Sequence, residues 1–137
     1  MTRTTYSQSQ YKDLAACPYL WWRKWVVGED PPGGAAAQRG QQLHAYALAA
    51  LVNGHADPDP VVTHAAEACR GILGGAAFEI EQRRERWPLN GKADVYSSEI
   101  GAVIDLKFPG TPWTPPGVAL QAGWYGWTYD VDVFWVV

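Results

Sequence analysis

The sequence predicts an α/β (α+β) fold in which about three helices precede a mixed sheet, built in the order strand, strand, strand, helix, strand. Three observations predict it. Apolar residues recur at three- and four-residue steps up to Gly75, which is helical spacing. Beyond Gly75 they alternate with polar residues in short runs, the period of half-buried strands. Glycine and proline cluster between these segments rather than inside them. At 137 residues the chain has the usual size of one domain, read as a helical part over 1–75 and a sheet part over 76–137.

The segment SQSQYKDLAACPYLWWRKWVV opens with a serine N-cap, Ser7 or Ser9, and repeats Tyr11, Leu14, Ala15 and Leu20 on one face. Pro18 should divide it, because proline breaks the ladder of backbone hydrogen bonds. Gly28 to Gly34 is a loop of breakers. The next helix, AAAQRGQQLHAYALAALVNG, carries Leu43, Ala47, Leu48 and Leu51 along one face and stops at Asn53-Gly54. A third helix spans Val61 to Leu73 and stops at Gly74-Gly75. The runs AFEIEQRRERW, LNGKADVYS and GAVIDLKF then read as three antiparallel strands, turning at Asn90-Gly91 and at Ser97 to Gly101. After a Pro-rich loop, VALQAGWYGWTY is a helix and VDVFWVV an apolar strand. That strand would be a poor exposed edge, so a homo-oligomer through it is one expected arrangement.

Composition excludes several classes. Hydrophobic residues make up 47% of the chain and charged residues 18%, far from the composition of disorder. No apolar run approaches the roughly 18 residues of a membrane span. Met1 to Gln10 is polar and lacks a signal-peptide core, so the cytoplasm is the expected location and no membrane partner is expected. Cys17 and Cys69 are too few for a disulfide scaffold and read as reduced core thiols. The eight tryptophans read mostly as core, with Trp21 and Trp25, and Trp124 and Trp127, at helical spacing. His55 and His64 read as surface or packing residues.

Chemistry concentrates in the third strand. Alternation sets Asp105 and Lys107 on one face and turns Ile104, Leu106 and Phe108 to the core. Asp94 lies on the preceding strand. If Tyr96 pairs with Gly101, Asp94 falls diagonal to Asp105, with backbones roughly 7–8 Å apart and both carboxylates in reach of one ion. A one-residue slip would separate them. Two acids so close repel unless a proton or cation intervenes, and hard oxygen donors suit Mg2+ or Mn2+. An Asp-x-Lys strand is usually only a solvated face, and His44 alone an ordinary helix residue.

Five motifs in order change that weighting. Ser7-x-Ser9-x-Tyr11 followed by Cys17-Pro18, Arg39-Gly40-Gln41-Gln42-Leu43-His44, Gly91-Lys92-Ala93-Asp94, Ile104-Asp105-Leu106-Lys107 and Gln121-Ala122-Gly123-Trp124-Tyr125 together resemble the RecB-type exonuclease branch of the PD-(D/E)XK nuclease superfamily. The resemblance covers nearly the whole chain and implies a restriction-endonuclease-like core. It implies a divalent-metal-dependent deoxyribonuclease, an exonuclease or single-strand nuclease, acting on DNA ends or single strands. His44, Asp94, Asp105 and the Leu106 carbonyl would hold Mg2+ or Mn2+, with Lys107 polarising the attacking water. Glu81 is the first choice for a further acidic ligand and Glu79 the reserve, both facing one side. Gln121 and Tyr125, one helical turn apart, would brace the site or touch substrate.

The net charge of −3 argues against bulk phosphate binding, but setting aside Asp94, Asp105 and Glu81 brings the balance to zero. Arg39, Lys92 and the cluster Arg83, Arg84 and Arg86 are then the candidate phosphate contacts. Trp113, in the Pro-rich loop, is the candidate for stacking on unpaired bases. Iron–sulfur members of the branch use four cysteines; with two here, no cluster is expected. The alternative is a non-catalytic DNA-binding or assembly subunit of the same fold. An aromatic-rich sugar-binding module is remote, because it leaves the ordered carboxylates unexplained.

Overall fold

Helices cover both faces of a four-stranded sheet in the computed structural model, which describes residues 4–29, 33–54, 56–108 and 115–137. Trp113 and His55 lie outside the described residues. Ser7 caps α1 (Gln8–Ala16) in a reciprocal capping box with Gln10, satisfying backbone donors at the helix start. Pro18 divides the first segment as expected, opening α2 (Pro18–Trp22), which runs into a π-helical stretch over Arg23–Val27. The long α3 (Ala35–Asn53) ends on Gly54, whose φ of 72° is the left-handed value that favours glycine. Asp59 caps α4 (Pro60–Leu73).

Each of the first two expected strands is broken in two. The first becomes β1 (Glu79–Ile80) and β2 (Arg83–Arg86), the second β3 (Leu89–Lys92) and β4 (Val95–Ser97). β5 (Ala102–Asp105), α5 (Pro115–Tyr129) and β6 (Val133–Val136) complete the chain. The sheet order is β1-β4-β5-β6, antiparallel except for the parallel β5–β6 pair joined through α5, while β2 and β3 form a separate antiparallel ribbon. The fold is therefore mixed α and β with a mixed sheet.

One core joins α3 and α4 to the sheet: Leu43, Ala47, Leu48 and Leu51 meet Val62, Ala66, Cys69 and Leu73 over Val95, Ile104 and Leu106. The other lies under α5, where Tyr125 and Tyr129 pack on Ala93 and Val103. Burial of these side chains is the main driving force for the layered arrangement. No helix among the described residues is long and apolar enough to cross a membrane.

Two expectations fail for tertiary reasons. Asn90-Gly91 is not a turn: the chain reverses at Trp87-Pro88, and both residues are buried within β3. Glycine is needed at 91 for close approach, since a Cβ there would sit 2.9 Å from Thr128 Oγ1 and 3.2 Å from Tyr125 Cε1. Gly91→Ala is expected to destabilise by about 1–3 kcal/mol, seen as a lower urea midpoint at unchanged slope.

Nor are the tryptophans mostly core. Trp124 is buried, Trp21 half-buried, and Trp22, Trp25, Trp87, Trp127 and Trp135 are exposed. No residue of α1, α2 or the π-helical stretch is buried, because these elements lie outside both cores. Exposed rings take surface partners instead: Trp25 Nε1 donates to Asp13 of α1 at 2.9 Å, and on α5 Trp127 lies under Arg86 of β2, 4.1 Å from its ring centre. Cys17 is likewise only half-buried, whereas Cys69 is core; both are free thiols, and burial pushes Cys69 up to about 11.

Candidate functional site

The register places the two acids closer than expected. Tyr96 lies opposite Val103 rather than Gly101, so continuing the ladder one step sets Asp94 straight across from Asp105 instead of diagonal to it. The difference is two residues, which preserves the face. Regular alternation also stops just before β4. Val95 enters the core under α3 and α4, yet Ala93, two residues earlier, enters the core under α5. The break is matched on the neighbouring strand by Glu81 at φ 48°, whose N–H donates to the Asp94 carbonyl at 3.1 Å. Tyr129 pins both breaks: its hydroxyl accepts from Ala93 N–H at 2.8 Å and donates to the Gln82 carbonyl.

At this break Asp94 meets α3. Its Oδ2 accepts the Leu106 N–H at 2.7 Å and lies 3.0 Å from His44 Nε2. The hydrogen bond to Asp94 is the largest influence pushing His44 above its ordinary value, against the opposing effect of burial; a hydrogen bond to the Leu106 backbone adds to it. Asp105, at the end of β5 and 3% exposed, accepts from Gln121 Nε2 of α5 at 2.9 Å through Oδ1. Its Oδ2 is buried and receives no aligned hydrogen bond, while the Lys107 ammonium lies 2.6 Å away as an ion pair. Burial first, then the Asp94 carboxylate, push the Asp105 carboxyl up to about 6, with Lys107 and His44 opposing.

Four groups from three parts of the chain thus converge: the His44 imidazole of α3, the Asp94 carboxylate just before β4, and the Asp105 carboxylate and Lys107 ammonium at the end of β5. Two of them, His44 and Lys107, line a cleft of about 420 Å3 together with Gly40, Gln41, Glu81 and Leu106, and the two carboxylates lie behind them as their partners. As they stand the side chains pair with one another, and among the described residues no three His, Cys, Asp or Glu side chains are arranged to hold a metal ion.

The remaining expected residues separate into groups. Glu81 lines the cleft, with its carboxylate 3.8 Å from Lys92 Nζ. Glu79 pairs with Arg84 at 2.8 Å. Arg84 and Lys92 occupy opposite faces of the β2–β3 ribbon, so the two glutamates do not face one side; β1 ends at Ile80 and alternation does not extend to Glu81. Arg39 is turned to Asp59 at 2.9 Å, at the N-cap of α4, rather than lining the cleft. Tyr125 is buried and donates to the Lys92 carbonyl at 3.2 Å, and burial raises its phenol further.

Two residues escaped the sequence reading. Gln41 lines the cleft one turn before His44, and Tyr129 continues the stripe of Gln121 and Tyr125 by one further turn. Helical spacing carried both signals. Neither a family model, nor a curated protein, nor a solved structure matches the chain.

Proposed function

We propose that the chain is a divalent-metal-dependent deoxyribonuclease with a restriction-endonuclease-like core, akin to the RecB-type exonuclease branch of the PD-(D/E)XK superfamily. The observation that carries this reading is the meeting of His44, Asp94, Asp105 and Lys107 at the end of two neighbouring strands. A structural ion pair would not need two carboxylates facing each other across a ladder, because burial and mutual repulsion both oppose it.

The donor set fits Mg2+ or Mn2+. Two carboxylates and the Leu106 carbonyl are hard oxygen donors, and an imidazole is compatible with Mn2+. The buried Asp105 Oδ2 already faces one positive charge, the Lys107 ammonium at 2.6 Å, and is suited to a cation. His44, Asp94, Asp105 and the Leu106 carbonyl would hold the cation, with Glu81 at the cleft wall as a further acid.

When bound, the cation supplies Lewis acidity and neutralises charge on the phosphodiester. Exchange of Lys107 from Asp105 to the reaction centre leaves its ammonium to orient water and to face the charge that develops on phosphate oxygens. Gln121 holds Asp105 in place through Oδ1. Gln121→Leu removes that bond and is expected to lower turnover about 10–100-fold without changing the fold, by single-turnover kinetics and circular dichroism.

The test is degradation of linear duplex, single-stranded and circular DNA by the purified protein in Mg2+ or Mn2+, against a chelator control. Metal-dependent degradation supports the proposal, and preference for linear or single-stranded DNA supports end or single-strand action. DNA binding without cleavage in either ion would instead favour the non-catalytic subunit, the reading to which the mutual pairing of the four side chains gives weight.

A further inference from the structure

A second cleft, of about 330 Å3, lies beside the first, where the start of α1 meets the β2–β3 ribbon. We infer that it is a phosphate subsite, taking a further phosphate group of the nucleic-acid strand whose cleavage is proposed above, on which reading it rests.

Two cations line it. Arg83 and Lys92 are direct partners across the antiparallel ribbon, an arrangement in which like charges repel. Their present partners, Glu85 at 2.9 Å and Glu81 at 3.8 Å, are exposed, where ion pairs contribute little. A phosphate between the two cations converts the repulsion into attraction and forms charge-assisted hydrogen bonds.

A neutral donor points the same way. Gln8 lines this cleft, and its Nε2 is buried without an acceptor among the described residues. A buried donor left unpaired is costly, and a phosphate oxygen would satisfy it. Gln8 belongs to the first turn of α1, which is capped by the neutral Ser7 and holds no acidic residue, so no negative side chain offsets the positive end of the helix there.

One ion pair links the two clefts. Lys92 lines the second and contacts Glu81, which lines the first. Tyr125 lines the second one helical turn beyond Gln121, which holds Asp105. A strand lying across both would set one phosphate at the acids and another between Arg83 and Lys92.

The experiment measures binding of fluorescein-labelled oligothymidylate by anisotropy in a chelator, over a series of salt concentrations. Oligonucleotides with a 5′-phosphate, a 3′-phosphate or hydroxyls at both ends are compared. Arg83→Ala and Lys92→Ala are each expected to weaken binding about tenfold, and their combination to flatten the salt slope by about 0.7, the value for one phosphate of a single strand. Gln8→Leu, which changes no charge, is expected to weaken binding severalfold. Arg23→Ala, which removes an exposed charge paired with Glu29 elsewhere, should leave binding unchanged. Loss confined to one phosphorylated oligonucleotide identifies a terminal phosphate, and equal loss on all three identifies a backbone phosphate. Wild-type affinity and salt slope in Arg83→Ala, Lys92→Ala and Gln8→Leu overturn the subsite, as does equal weakening by Arg23→Ala. Cleavage of the same DNA in Mg2+ is scored separately. If wild type cuts while the variants bind normally, only the subsite falls. If binding depends on Arg83 and Lys92 but no ion supports cutting, the nuclease reading falls and the phosphate site stands.

Discussion

Asp105→Asn is expected to reduce DNA cleavage by at least about 10^3-fold, and Lys107→Ala by about 10^2–10^3-fold, at saturating Mg2+. Asparagine keeps the shape of the side chain and a polar partner for Gln121, but removes the negative charge that would hold the cation. Alanine at 107 removes the ammonium that lies 2.6 Å from Asp105 Oδ2. Single-turnover degradation of end-labelled DNA reads both effects, with circular dichroism showing that the fold persists. Cleavage at wild-type rates in either variant would sink the proposed chemistry.

The second large effect is on stability. In a chelator the protein is expected to lose stability as pH rises from about 4 to about 7. The Asp105 carboxyl is raised from 3.8 to about 6 in the folded state, chiefly by burial. The folded chain therefore holds this proton more tightly than the unfolded chain, and the cost of ionising Asp105 is absent below 3.8 and complete above about 6. His44 is raised above 6.5 by its hydrogen bond to Asp94, so its stabilisation is complete below 6.5 and lost as pH passes the raised value. Both groups act in the same direction. Thermal melts should show Asp105→Asn more stable than wild type at pH 7, by on the order of 5 °C, with the gap closing toward pH 4. A divalent cation at a hundred times its dissociation constant should restore about 2.7 kcal/mol to wild type and much less to the variant. A gap independent of pH would contradict the assigned burial of the charge.

The order of elements was legible because it depends on local periodicity. Ile104 and Leu106 enter the core while Asp105 and Lys107 meet on the other side, as strand alternation requires. The stops at Gly54 and Gly74 and the cap at Ser7 are likewise local signals. What could not be read depends on residues distant in sequence. The breaks at Glu81–Gln82 and Ala93–Asp94 are fixed by Tyr129, about forty residues further on. Gly91 carries the signal of a turn, but its requirement comes from Tyr125 and Thr128 of α5. The tryptophan stripes have the spacing of core residues, and no local rule tells that α1, α2 and the π-helical stretch lie outside both cores. The site was legible in part for the same reason. Motif order placed His44, Asp94, Asp105 and Lys107 together, whereas the orientation of Arg39 toward Asp59 and of Glu79 toward Arg84 follows from partners that sequence spacing does not reveal.

Mn2+ binding, followed by electron paramagnetic resonance without DNA, tests most directly whether one imidazole and two acids serve a common ion. Wild type should bind the ion at a site whose affinity falls at least about tenfold in each of His44→Ala, Asp94→Asn and Asp105→Asn, with nitrogen hyperfine coupling lost only in the first. Equal Mn2+ affinity in wild type and all three variants would contradict it.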